Sequence, residues 1–274
     1  MKETQQARNP FVNSDTNKRY YTYDYYLRRT FGDKCLKVAL DIGCTCPNLD
    51  GTCGTGGCIY CSGRGSGDFA PAPLASVTAQ IEAGKRQLAA KWQSNRVIPY
   101  FQAHSNTYGD LNRLRAAYFE AIAHPGTVGV SIATRADCLG DAVLALLAEV
   151  AAKTRLTVEL GLQSASDATA ARINRGHDFA AFCAGFAALR RAVPTAEICI
   201  HIINGLPGET RDDMLATADA VAALHPNQVK IHSLHVLRGT TLAAWYTRGD
   251  YAPISLEDYV SVTAAQLTRL PPDI

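Results

Sequence analysis

Val38-Ala-Leu-Asp41-Ile-Gly-Cys44-Thr-Cys46-Pro-Asn-Leu-Asp-Gly-Thr-Cys53-Gly-Thr-Gly-Gly-Cys58-Ile-Tyr-Cys61 is the stretch on which the reading of this chain turns. Its first residues, Val38 to Ile42, are an apolar run of strand character. The remainder is loop-like, with five glycines from Gly43 to Gly57, one Pro, one Asn and one Asp. Five of the nine cysteines fall in this loop, while Cys35, Cys138, Cys183 and Cys199 are scattered and read as small core or surface residues. A cysteine-dense glycine loop at the end of a strand binds something soft.

Two soft centres compete for it. Zinc takes four ligands in a closed tetrahedral site, usually from two C-x2-C knuckles, whereas an iron–sulfur cluster takes thiolates and can leave one iron open. Only one C-x2-C is present, Cys58 with Cys61, and no second knuckle follows at finger spacing. Zinc through Cys44 or Cys46 with Cys53, Cys58 and Cys61 stays arithmetically open. A redox C-x2-C would want a helix start after it, and Ser62-Gly-Arg-Gly-Ser-Gly-Asp68 is not one.

Downstream the chain alternates strand and helix. Val97 to Gln102, Val128 to Ala133, Leu156 to Leu162, Glu197 to Asn204 and Gln228 to Leu237 read as strands. Leu111 to His124, Asp141 to Lys153, Phe179 to Ala192 and Arg211 to Leu224 read as helices between them. With Val38 to Ile42 this makes six strands in a βα repeat, apolar as expected of a parallel sheet buried on both faces. Right-handed crossovers at this spacing give a doubly wound sheet or a full or partial barrel, and periodicity does not separate them.

The whole-chain figures remove other classes. With 274 residues, 47% hydrophobic and a net charge of +2, the chain can bury a core and is not disordered. No run reaches about 18 apolar residues, and Met1 to Arg8 is polar, so the expectation is no membrane span, no signal peptide and a cytoplasmic, reducing compartment. There, an odd number of cysteines is not a disulfide framework.

Ligands of parallel α/β folds bind at the C-terminal ends of the strands. At those ends sit the cysteine loop, Gln102-Ala-His104-Ser-Asn106-Thr, Gln163-Ser164, Gly205-Leu-Pro-Gly208-Glu209, and His232 to His235 within the sixth strand. The histidines are equally well read as satisfied core or rim residues. Glu159 lies inside the apolar run Thr157-Val-Glu159-Leu-Gly-Leu-Gln163, where an unpaired carboxylate is costly, so it should face a polar lumen or a cation, or belong to a structural ion pair.

Several of these motifs match one family. The loop ending in C-x-aromatic-C, Glu159-Leu-Gly-Leu-Gln-Ser164 and Ile202-Ile-Asn-Gly-Leu-Pro-Gly-Glu-Thr210 resemble the radical S-adenosylmethionine (SAM) enzymes. Arg19-Tyr-Tyr-Thr-Tyr-Asp-Tyr-Tyr26, Cys46-Pro-Asn-Leu-Asp-Gly-Thr52, Gly56-Gly-Cys58-Ile-Tyr-Cys61 and Tyr100-Phe-Gln-Ala-His-Ser-Asn-Thr107 resemble, more narrowly, its YhcC/YtqA-type subfamily, near the Elp3-like and coproporphyrinogen-dehydrogenase-like branch. The likeness runs from about Arg19 to the end.

The resemblance implies a partial (β/α)6 TIM-like barrel over 37–274, preceded by a basic, tyrosine-rich extension over 1–36. It implies that Cys46, Cys58 and Cys61 hold a [4Fe–4S] cluster, and that SAM on the open iron is split by one electron to a 5′-deoxyadenosyl radical. Cys44 and Cys53 are then extra. It places Tyr60 and the segment Gly205, Gly208, Glu209 beside adenine, and Glu159 with Gln163 toward ribose and the methionine moiety, with His232 also among the cofactor contacts. The Gly-Gly-Glu element that often binds the SAM amino group is absent, and Gln102 to Asn106 stands in its place. It further implies a flavodoxin- or ferredoxin-type electron donor, and a further strand and basic tail beyond Leu270-Pro-Pro-Asp-Ile274. Residues 1–40 carry eight Lys/Arg against four Asp/Glu, with Tyr20, Tyr21, Tyr23, Tyr25 and Tyr26 among them. Such a segment holds phosphates and stacked bases or simply covers the barrel. The resemblance favours tRNA, with modification of a wobble-uridine side chain. A small-molecule substrate and a non-catalytic metal- or RNA-binding module are the alternatives.

Overall fold

In a computed structural model of the chain, residues 14–15, 17–67, 70 and 76–274 are described. Residues 1–13 and 16 of the expected extension, and Asp68, lie outside them. Six strands form one sheet: β1 (Leu36–Leu40), β2 (Val97–Phe101), β3 (Val130–Thr134), β4 (Leu156–Gln163), β5 (Glu197–Asn204) and β6 (Gln228–Ser233). Each pairs in parallel with its neighbour in chain order. A doubly wound sheet would reverse its order partway. Without a reversal, right-handed crossovers lay every helix on one face and the sheet curls about the other. The fold is therefore the expected partial barrel.

The crossovers are α2 (Val77–Ala89), α3 (Leu111–Ala123), α4 (Asp141–Ala151), the short α5 (Asp167–Arg172) with α6 (Phe179–Ala192), and α7 (Arg211–Leu224). Helix α1 (Tyr23–Phe31) precedes the sheet, and α8 (Thr241–Arg248) and α9 (Leu256–Leu267) follow it. Ser76, Asp110, Asp178 and Thr210 start their helices by accepting the backbone N–H three residues on, and Asp213 completes a capping box with Thr210. The sequence reading lacks α1, α2, α5, α8 and α9. It also extends the sixth strand to Leu237, whereas β6 stops at Ser233: Leu234 turns into a satellite cluster with Ile59, Ile173 and Leu206, and His235 is exposed. No helix among the described residues is long and apolar enough to cross a membrane.

Side chains of the strands alternate between two unlike environments. Outward-facing Val38, Leu40, Ile132, Val158, Leu160, Ile198, Ile200 and Ile202 pack with Ile81, Leu114, Leu147, Phe182 and Leu189 of the helices as the main core. The helix layer sits close in places: a Cβ on Gly185 of α6 would lie 2.2 Å from the carbonyl oxygen of Ala136, in the turn after β3.

The inward face is polar. Glu159 is 1% exposed, with one carboxylate oxygen on Lys37 Nζ and the other 2.8 Å from His201 Nε2. His201 Nδ1 is 3.4 Å from His232 Nε2, and the Lys37 ammonium lies 4.2 Å from the centre of the Tyr100 ring. Burial raises the Glu159 carboxyl, but the charge of Lys37, the hydrogen bond from His201 and the charge of Lys230 outweigh it and hold it well below the usual carboxylate range. The same burial pushes His201 down, and pushes His232 down to about 3 with help from His201 and Lys230. At the mouth where the strands begin, Tyr23 and Tyr26 of α1 pack around Leu27, Cys35 and Ile98, and the Tyr26 hydroxyl donates to Glu197. These two tyrosines of the extension cover the barrel rather than face solvent.

Two predictions follow from this packing. Gly185→Val drives a side chain into backbone that cannot rotate away and should cost about 3 kcal/mol, read as a lower urea midpoint; an unchanged midpoint contradicts the close approach. Acid should also destabilise the fold. Burial lowers His104, His177 (to about 4), His201 and His232 (to about 3) from 6.5, so below pH 6.5 the unfolded chain takes up protons that the fold refuses, and stability is lost as pH falls. Glu209, raised by burial to about 7, acts in the opposite sense, but it is one group against four. The urea midpoint should fall between pH 7.5 and about 5.5; a rise would show that Glu209 dominates.

Candidate active site

At the C-terminal ends of the strands lies a cavity of about 250 Å³ that Cys46, Cys58 and Cys61 all line. The loop that carries them is folded on itself. Cys46 C=O accepts from Leu49 N–H, Pro47 C=O from Cys53 N–H and Asn48 C=O from Gly57 N–H. Gly57 holds φ +71°, and a Cβ there would meet Leu49 at 2.8 Å, so the turn into Cys58 wants glycine. Two asparagines stitch the loop to the α5–α6 connection: Asn48 Nδ2 donates to Asn174 C=O at 2.6 Å, and Asn174 Nδ2 donates to Thr55 and Gly57 carbonyls.

Two guanidiniums face the sulfurs. Arg135, 3% exposed, is held by Asp137 and by Arg175 C=O and lies 4.0 Å from Cys46 Sγ and 3.5 Å from Cys53 Sγ. Arg175, 6% exposed, donates to Gly161 C=O and sits 3.8 Å from Cys58 Sγ. The S–H of Cys61 and the charge of Arg175 together hold the Cys58 thiol well below its usual range against the effect of burial. The Tyr60 hydroxyl reaches Cys58 as well. Cys44 does not line the cavity; it packs on the main core, where burial pushes its thiol up to about 11. Cys53 is exposed at the rim.

The three sulfurs share a wall without converging. They do not all lie within 4.8 Å of one another. Thiolates on one zinc would stand about 3.8 Å apart, given Zn–S near 2.3 Å. Three thiols on a wider wall, backed by cations, fit a polynuclear cluster better than one ion. The cavity also has polar atoms with nothing to bind: Gln163 Oε1 and Arg175 Nε are buried without a partner. Gln163 (φ +76°), His104 (φ +59°) and Ser66 (φ +68°) all line the cavity in the left-handed region, which costs such residues roughly 1–3 kcal/mol each. At Gln163 the strain coincides with a register shift between β4 and β5.

Of the residues expected from sequence, Tyr60, Gln102, Glu159, Gln163 and His232 line this cavity with the three cysteines. Asn106 does not: it is fully buried, and its side chain donates to the carbonyls of Phe101 and Ala133, fastening β2 to β3. Gly205, Gly208 and Glu209 line a separate cavity with Arg172 and Trp245, where the Ser164 hydroxyl donates to Glu209. Glu159 lies at the floor with both oxygens engaged. Arg135 and Arg175 were missed, since each stands in an unremarkable stretch and gains its meaning only from the sulfur beside it; Asn48 was read as a loop residue although it stands inside the cysteine motif.

The Radical SAM superfamily profile matches residues 51–221, and that of the Radical_SAM C-terminal domain matches 226–274. The chain is 46% identical over 266 residues to the uncharacterized protein YtqA of Bacillus subtilis, covering 97% of this chain and 82% of that one. It is 36% identical over 249 residues to the protein YhcC of Escherichia coli, covering 90% and 79%. The archaeal Elp3 of Methanocaldococcus infernus superposes with a TM-score of 0.63 at 18% identity, over 86% of this chain and 54% of that one. A stretch of 67 residues, 24% of this chain and 15% of the relative, is 36% identical to the tRNA-2-methylthio-N(6)-dimethylallyladenosine synthase of Magnetococcus marinus. Members of this superfamily bind a [4Fe–4S] cluster and SAM, the chemistry to which the cysteine-rich loop belongs. Fold, cysteine loop and both profiles agree: the chain belongs to the Radical SAM superfamily, with YtqA and YhcC among its relatives.

Proposed function

We propose that the chain is a cytoplasmic radical SAM enzyme that modifies a wobble-uridine side chain of tRNA, with Cys46, Cys58 and Cys61 as the three thiolate ligands of its cluster. The observation that carries the chemistry is that these three thiols, and no other cysteine, line one cavity that also holds unpartnered polar atoms. When bound, the cluster supplies an electron that splits the sulfonium of SAM to methionine and a 5′-deoxyadenosyl radical. The protein's part is to bind, orient and exclude water. Arg135 and Arg175 offset the charge of the thiolates, and Gln163 and Arg175 offer the free acceptor and donor for the polar ends of SAM. Tyr60, Gln102 and His232 complete the wall, while Gly205, Gly208 and Glu209 lie after β5 in the separate cavity with Arg172.

Support for tRNA is of another kind. It comes from the tRNA synthase stretch and the motifs shared with the YhcC/YtqA-type subfamily. An electron donor of flavodoxin or ferredoxin type would approach the exposed loop at 50–53.

After anaerobic reconstitution the protein should hold iron and sulfide equal to one [4Fe–4S] cluster per chain and form 5′-deoxyadenosine from SAM with dithionite. Alanine at Cys46, Cys58 or Cys61 should abolish that product, while alanine at Cys35, Cys138 or Cys183 should leave it. One zinc per chain and no SAM cleavage would overturn the reading. For the substrate, mass spectrometry of tRNA nucleosides from a deletion strain should show an altered wobble uridine; an unchanged profile contradicts tRNA.

A further inference from the structure

Lys230 projects from β6 into the lumen and lines both the cysteine cavity and a second cavity of about 500 Å³ at the opposite mouth. Its ammonium lies 5.4 Å from the centre of the Tyr100 ring, and among the described residues it makes no ion pair. The nearby Glu159 carboxylate makes its direct contacts with Lys37 and His201, and its single negative charge is shared between the two ammoniums. With Glu159 ionised, His201 donates to it through Nε2, and burial disfavours the charged form of both His201 and His232, which lie 3.4 Å apart. Lys37 and Lys230 then face one carboxylate, so the part-buried Lys230 ammonium, which burial disfavours, stands without an ion-pair partner of its own among the described residues.

That balance decides the sign of the missing ligand. A cation site is conceivable on paper, since Glu159, Cys199 and His201 present ligand atoms within 4.8 Å of one another. Lys37 already neutralises the carboxylate, however, and burial drives the Cys199 thiol far above its usual range. A metal ion would add to the excess, whereas an anion cancels it. We propose that Lys230 seats an anionic group, carboxylate or phosphate, of the molecule on which the enzyme acts, in the lumen between the two mouths. The proposal rests on the radical SAM reading for the identity of that molecule, and on Lys230 alone for its charge.

The test is calorimetric titration of the reconstituted holoenzyme with malonate and with inorganic phosphate. At least one should bind, Lys230→Met should weaken it at least about tenfold, and Lys230→Arg should retain it. Binding of neither probe by the wild type, or an undiminished affinity in Lys230→Met, overturns the proposal. SAM carries a carboxylate of its own, so its affinity is measured alongside by equilibrium dialysis. A loss matching that of the probe would assign the ammonium to SAM and also overturn the proposal, whereas an unchanged value supports it. A second measurement needs no variant: malonate should protect Lys230, and not the exposed Lys153, from reductive methylation mapped by mass spectrometry, and absence of protection contradicts the site. Wild-type protein that binds the probe but forms no 5′-deoxyadenosine would sink the radical SAM reading and leave the anion site standing.

Discussion

The contact of Lys37 with Glu159 and of Glu159 with His201 is the interaction around which this molecule is arranged. It joins β1 to β4 and β5, and β1 can touch β4 only if the sheet curls through β2 and β3. A carboxylate 1% exposed would be prohibitive alone, and removing one partner of such a buried pair costs roughly 3–5 kcal/mol. The pair therefore does more than neutralise itself: it ties the first strand across the lumen and sets the inner face as polar. Cavities at both mouths share Glu159 and Lys230, so the same ionic layer is the floor of one and the roof of the other.

Above that floor, chemistry follows from topology. Parallel strands in chain order send every C-terminal end to one mouth, so a loop after β1, a guanidinium after β3 and a strained glutamine ending β4 meet although they are far apart in sequence. Arg135 and Arg175 are positioned by hydrogen bonds to Asp137 and to Gly161 C=O, independent of the sulfurs. Their charge is in place before a cluster arrives, and thiolates gathered against fixed cations need less reorganisation than thiolates gathered in water.

Much of this was legible in the sequence. The apolar runs gave six strands nearly in place, because outward-facing residues such as Ile198, Ile200 and Ile202 pack against helices and carry a strong signal. The choice between barrel and doubly wound sheet was legible only through the family resemblance, since it lies in strand order rather than periodicity. Helix α2 was missed although Ser76 caps it and Val77, Ile81 and Leu88 hold helical spacing; the glycine-rich segment before it masks the change of period. At the site, the cysteine loop stands out because cysteine is rare. Asn106 misled, since a polar residue at a strand end can serve the backbone as well as a ligand. Arg135 and Arg175 stayed hidden because an arginine looks the same in sequence whether it meets solvent or a sulfur.

On the proposed reading, three thiolates of this chain leave one iron of a cluster open to SAM. Mössbauer spectra of protein reconstituted with iron-57, recorded with and without SAM, test it most directly. SAM is expected to shift one iron of the cluster away from the other three, which stay alike in its absence. Spectra indifferent to SAM, or protein that takes up zinc and no cluster, would contradict it.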